Sequence, residues 1–408
     1  MTTEQTAARD WTRSMTTAAM AIYGAVSYTD KKELSLVDVM GLTGHAFRLN
    51  IDPREVNVAG PTSFPGGYIL RRNLCNLGFT TNMGEAPAPV TPDKLEQTIA
   101  LIQRSVDKGV PAIAIDLFIP GFGLIYGYDD EKQLFYAKDV SQEGTITYER
   151  FSQPKIPLLF LVTIEDSLPH SKYEMLRMAL DMIVDHARGR EWTDVFGDSF
   201  AQGLKGYDAW ITAMEHRRAD EFGNAYNTAV AADAREFAAQ FLRGLAVKWD
   251  ADNVVERTVR AKAAEAAVHY EAVAEALVKM RGMFPFPEGG NPKDPAAADK
   301  AIDLLRRAQQ AETKGVEVLE GLLGFMKAYY SNIWVNYPRI KNSPDDPSSG
   351  LLLVSQYITV SQFHFRKACH SPSFIFNVDA AACYNDIPLL IGAFSEQLER
   401  LRIRKYFA

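Results

Sequence analysis

The feature that most narrows the possible folds is a stripe in the second half of the chain. Val259, Ala263, Ala266, Tyr270, Val273, Leu277 and Met280 follow one another at alternating steps of four and three. That spacing lines one face of a helix, and such a face is stable only when packed against other helices. This helix is expected from near Asp252 towards Gly282, as the longest of the chain. "MFPFPEGGNPKDP" then breaks the pattern with Pro and Gly. A second long helix is expected from about Pro295 to Tyr330, interrupted near Gly315. The pair predicts a helical hairpin or bundle. Upstream, "GYDAWITAM" and "TAVAADAREFAAQFLRGLA" read as further helices. Ser171 and Glu174 have the spacing of a capping box at the head of another, which Gly189 ends.

Residues 1–165 have a different texture. "TPDKLEQTIALIQRSVDKG" predicts a helix capped by Thr91, with Pro92 in its first turn, Gly109 at its end and Leu95, Ile99, Ile102 and Val106 on its apolar face. "PAIAIDLF" and "PLLFLVTI" read as short buried strands. "PGFGLIYGYDDEKQLFYAKD" reads as a hairpin turning at Asp129–Lys132. "SMTTAAMAIYGAVSY" reads as a first helix with Ser14 or Thr16 as its N-cap. The fold class is therefore α+β, with a mixed region at 1–165, a mainly α-helical domain at 166–330 and a C-terminal segment at 331–408. That last segment opens on a linker-like stretch, "SNIWVNYPRIKNSPDDPSSG", and periodicity assigns it no fold.

Charge and cysteine content bound the function. A formal net charge of −7 argues against general nucleic-acid binding, which needs clustered Lys and Arg. No apolar run reaches the length of a membrane span, and the N-terminus lacks the pattern of a signal peptide. Three well-separated cysteines, Cys75, Cys369 and Cys383, fit reduced thiols and a cytoplasmic location better than a disulfide framework.

Two stretches carry a resemblance. "LSLVDVMGLTGHAFRLNI" at 34–51 and "FGLIYGYDDEKQLFYAKD" at 122–139 resemble the N-terminal domain of the butirosin biosynthesis protein H family. That family is similar in turn to the bacteriocin-processing cysteine peptidases, with a papain-like fold. The likeness covers roughly residues 10–165. It implies a papain-like N-terminal domain and thiol chemistry, with a Cys at the head of the first helix, a His at the start of a later strand and an Asp or Asn on the next strand. Carried over, the nucleophile position falls near Ser14–Thr16, which hold no Cys. The His position falls at Gly121 or Phe122, and the orienting position at Asp139. The resemblance thus implies the scaffold without its sulfur–imidazole pair.

The remaining candidates come from the residues themselves. His45, in "GLTGHAF", is either a base at a cleft or a satisfied histidine closing the loop after a helix. The hydroxyls of Ser14, Thr16 and Thr17 need a strong neighbouring base to act as nucleophiles. Asp116 ends an apolar strand, where carboxylates often face a cleft, and Asp139 lies far from it in sequence. Arg48, Tyr126 and Tyr128 are candidates for holding a ligand, a phenol offering both apolar area and a hydrogen bond. Asp181, Asp185 and His186 share one helix, where His186 is expected to meet the helix dipole. His364, Cys369 and His370 are too few for a zinc site. No metal or cofactor is expected. The expected pocket lies between the first helix, the 41–48 loop and the 121–129 hairpin. The primary expectation is a degenerate peptidase-like domain that binds a small molecule, peptide or acyl carrier. The alternatives are an enzyme of acyl transfer or amide chemistry with His45 as base, and a partner-binding helical homodimer.

Overall fold

The computed structural model of the chain describes residues 9–62, 66–191 and 199–336, with side chains as far as Tyr329. The 331–408 segment beyond Asn336, with Cys369, Cys383, His364 and His370, lies outside the described residues. The described residues as far as Met326 belong to one compact unit, which is α+β.

The sheet is antiparallel throughout. Its strands are β2 (Phe79–Pro87), β3 (Ala112–Ile115), β4 (Phe122–Asp129), β5 (Leu134–Lys138), β6 (Glu143–Thr147) and β7 (Leu158–Ser167), in the order β2-β7-β3-β4-β5-β6. A separate two-residue pair joins β1 (Asn50–Ile51) to β8 (Ala201–Gln202). The period of two sorts the side chains. Ala112, Ala114, Ile125, Phe135, Ala137, Ile146, Leu159 and Leu161 bury one face against helix α4 (Pro92–Asp107) and the short α5 (Tyr148–Ser152). The other face meets α1 (Thr17–Val26) on β4 and α3 (Gly66–Asn76) on β2. The predicted α4 face is seen as expected: Ile102 is buried, and Leu95, Ile99 and Val106 pack beside it. Gly109 ends the helix at φ +80°.

Strands β2 and β6 were not legible in the sequence. β2 carries Thr, Asn, Gly and Glu on an edge, and β6 is a five-residue edge strand. Edge strands bury little, so their apolar alternation is weak.

Four helices build the rest: α7 (Leu204–Glu215), α8 (Glu221–Lys248), α9 (Val254–Met283) and α10 (Pro295–Asn336). α8 and α9 form an antiparallel hairpin, as the cross-pairs Arg243–Glu271 and Glu236–Arg281 show. The whole stripe from Val259 to Met280 is buried. Between these regions lie α2 (Leu36–Leu42), a single 3-10 turn (His45–Phe47) and α6 (Lys172–Ala187). α6 begins at the expected capping box, with Ser171 and Glu174 bonding reciprocally.

α10, not α9, is the longest helix among the described residues, with 42 residues against 30. It runs through Gly315 without a break and on to Asn336, past the expected end at Tyr330. Gly315 is there for a different reason. A β-carbon at this position would lie 2.8 Å from the Tyr270 ring, so the missing side chain lets α10 approach α9 closely.

Candidate functional site

Two of the positions singled out by the resemblance, 121–122 and 139, come together with the head of α1, where Thr17 and not Ser14 or Thr16 makes the contact. At the head of α1, the Thr17 hydroxyl accepts a hydrogen bond from the Phe122 amide, 3.1 Å away. A β-carbon added to Gly121 would sit 3.3 Å from the Thr17 side chain, and one added to Gly123 would sit 2.8 Å from Cβ of Asp139. The start of α1, the start of β4 and the end of β5 therefore meet in space. They bring a threonine, a glycine–phenylalanine pair and an aspartate.

Asp139 is fully engaged. One carboxylate oxygen accepts from the amides of Phe118 and Ile119, at 3.1 and 3.0 Å. The other accepts from the Ser141 amide and hydroxyl and from the Gln142 amide. A carboxylate so held closes the β5–β6 turn and ties it to the loop before β4.

Ser14 and Thr16 lie just ahead of this point and face elsewhere. The Ser14 hydroxyl donates to Asp233 of α8 at 2.6 Å and accepts from the Thr16 amide at 3.0 Å. Asp233 also takes the Met15 amide and the Arg9 guanidinium. Thr16 holds the N-cap position of α1, but its side chain makes no capping bond. The cap is indirect: Ser14 holds the chain, and α8 holds Ser14.

His45 belongs to a separate buried cluster. Gly44, at φ +72°, turns the chain out of α2 into the 3-10 turn that carries His45. The ring is buried beside Asn73 of α3, with Arg48, Glu191 and His186 as charged or titratable neighbours. Burial, aided by the Arg48 charge, holds its pKa down at about 3 against the opposing pull of Asn73 and Glu191. Arg48 is no exposed ligand hook. Its guanidinium grips both oxygens of Glu191, at 3.0 and 3.2 Å.

His186 does not act through the α6 dipole as expected. Its Nε2 accepts the Leu49 amide at 3.0 Å, which assigns the proton to Nδ1, 3.0 Å from Glu191. Burial lowers its pKa, so the ring is neutral. Burial pushes Glu191 upward, but Arg48, His186 and Arg72 together outweigh it and hold the carboxyl at about 2. Asp181 and Asp185 face Arg72 and Arg190. No group of described residues has the makings of a metal site.

The other candidates lie on the sheet. Asp116, at φ +58°, is a buried residue in left-handed backbone. Its carboxylate accepts the amides of Lys155 and Ile156, and Arg150 stands 3.7 Å away. Burial raises its pKa, opposed by these amides and by Arg150. Tyr126 donates to Glu143 at 2.7 Å and Tyr128 to Asp107 at 2.9 Å, both at the surface.

An open groove of about 520 Å³ lies beside Asp116 and Asp139. Leu117, Phe118, Ile119, Ile146 and the β6 threonines line it, with Arg150 and Lys155 among the walls. Both cations are placed by backbone. Arg150 donates to the carbonyl of Gln153 at 2.8 Å, and Lys155 to that of Phe118 at 3.3 Å. Sequence reasoning passed over these two residues. A short amphipathic helix such as "YERFS" gives no sign that its arginine will border a groove.

No helix among the described residues is long and apolar enough to cross a membrane. Compared with known proteins, the chain matches no family model and no curated protein.

Proposed function

We propose that this chain is a ligand-binding protein built on a papain-like arrangement whose thiol chemistry is gone. It holds a small molecule, peptide or acyl carrier and does not cut peptides. One observation carries the reading. The head of α1 meets the base and orienting positions, yet it offers Thr17, one residue past Ser14–Thr16, beside Gly121–Phe122 and a fully bonded Asp139. A threonine hydroxyl needs a base to become a nucleophile. Here that hydroxyl receives a backbone amide, and among the described residues no imidazole stands at the base position.

The enzyme reading with His45 as base has less in its favour. The ring is buried with Arg48, Asn73, Glu191 and His186, while Ser14 is bound to Asp233 and the two sheet aspartates hold backbone amides. The test is a turnover panel of peptide amides and acyl thioesters, run on the full chain, on Thr17→Ala and on protein alkylated at the exposed Cys75. The expected result is no turnover that depends on Thr17 or on a thiol. Turnover abolished by either change overturns the proposal.

A further inference from the structure

We infer that the groove beside Asp116 and Asp139 takes an extended acidic peptide, which adds to β6 as a further strand and sets a carboxylate on Arg150 and Lys155. This deepens the binding reading above and rests on it. Among the described residues, β6 is the last strand on its side of the sheet. The bonds flanking it fix which of its backbone groups are paired. The Asp139 amide donates to the Gln142 carbonyl, and the Tyr148 amide donates to the Gln133 carbonyl. With Ala137 opposite Gly144 and Phe135 opposite Ile146, the inward set is Gln142, Gly144, Ile146 and Tyr148. Glu143 and Thr145 therefore present their amides and carbonyls outward, and Thr147 its amide, its carbonyl belonging to the N-cap of α5. Thr145 and Thr147 are also walls of the groove. An outward ladder of this kind is the template for strand addition.

Charge selects the occupant. Arg150 and Lys155 stand at the same groove, Arg150 with 31% of its side chain exposed. Asp139 has both carboxylate oxygens on neighbouring amides and the Ser141 hydroxyl, Asp116 gives one oxygen to amides and holds the other 3.7 Å from Arg150, and Glu143 of β6 accepts from Tyr126. Phe118 and Ile146 give an apolar floor for alternate side chains. A short extended peptide with a pair of acidic residues fits all three features. A basic peptide would meet two cations.

The probe is a fluorescein-labelled peptide of alternating Thr and Val ending in two glutamates. Three controls accompany it: the same peptide ending in two lysines, one with a central proline and unchanged charge, and inorganic phosphate as competitor. Binding to the full chain is read by anisotropy, and the site by hydrogen exchange of the 143–147 amides. The acidic peptide is expected to bind at least about tenfold more tightly than the lysine or proline peptide. It should protect the β6 amides, and Arg150→Ala/Lys155→Ala should weaken it about tenfold or more. Equal binding of the proline peptide, or full displacement by phosphate, would reduce the groove to an anion site and overturn strand addition. Protection elsewhere, or no binding at all, overturns the proposal too. Neither result touches the absence of thiol chemistry, which the turnover panel tests separately.

Discussion

The sheet region and the helical region handle buried charge in opposite ways. In the sheet region, Asp116 and Asp139 are held chiefly by backbone amides from nearby loops. In the helical region, Arg235 of α8 is fully buried and grips Glu312 of α10 through two bonds, at 2.9 and 2.6 Å. Tyr207 of α7 donates to the same carboxylate, and Arg235 donates to the carbonyls of Ala46 and Arg48. Amide-held acids shape loops and leave the neighbouring cations at the surface. A side-chain pair held in the core joins distant elements, and each partner depends on the other. The lesson is that the polar groups of the sheet region set the shape of a surface, whereas those of the helical region set the packing.

That contrast is broken most sharply at the core pair. Glu312→Gln should cost about 3–5 kcal/mol in chemical denaturation, because Arg235 would remain buried without a countercharge. Replacing both partners with Met and Leu should recover much of that loss. If the single and double variants lose the same amount, the pair does not work as a unit. Asp139→Ala should cost about 2–3 kcal/mol, since it leaves the Phe118 and Ile119 amides unpaired. Its hydrogen-exchange signature should stay within 116–122 and 139–143. Exchange spreading into α8 or α9 would contradict the local role.

A third effect sits between the two regions. Folded His45 stays neutral down to about pH 3, while an unfolded histidine takes up its proton near 6.5. The unfolded state therefore binds the extra proton between those values. Stability is expected to fall as pH drops below about 6.5, by up to ~1.4 kcal/mol per pH unit from this residue. His186, also depressed, acts in the same direction. Glu191, held at about 2 against an ordinary 4.5, adds a further loss below about 4.5. Urea titrations at pH 7, 6 and 5 should show the trend, and His45→Gln should flatten it. A pH-independent midpoint would contradict the neutral, buried ring. The smallest effect belongs to the exposed Arg243–Glu271 pair on the α8–α9 hairpin. Its removal by Glu271→Ala should cost less than about 1 kcal/mol, and a larger loss would mean that the hairpin depends on its surface.

Much of the helical region was legible because long stripes repeat their signal. Val259 to Met280 spans enough turns for periodicity to outweigh any one residue, and Ser171–Glu174 marks a start by local chemistry. Gly315 reads as a break because a sequence does not show that Tyr270 packs across from it. The core pair did leave a trace. Arg235 lies among Ala231, Ala232, Ala238 and Ala239, at the spacing of a buried face, and a charge there implies a partner from another element. Which partner depends on tertiary packing 77 residues away. The site was legible only as positions. The order of motifs placed the head of α1, the start of β4 and Asp139 in one list, but the bonds that engage Asp139 and the edge formed by β6 arise from folding.

The most direct test of the central claim is intact-mass spectrometry of the full chain after incubation with an excess of a reactive acyl thioester. A chain without the sulfur–imidazole pair is expected to keep its unmodified mass, apart from slow labelling at its three cysteines that denaturation does not diminish. A stoichiometric acyl adduct on Thr17, or one on any cysteine that forms only in the folded protein, would contradict it.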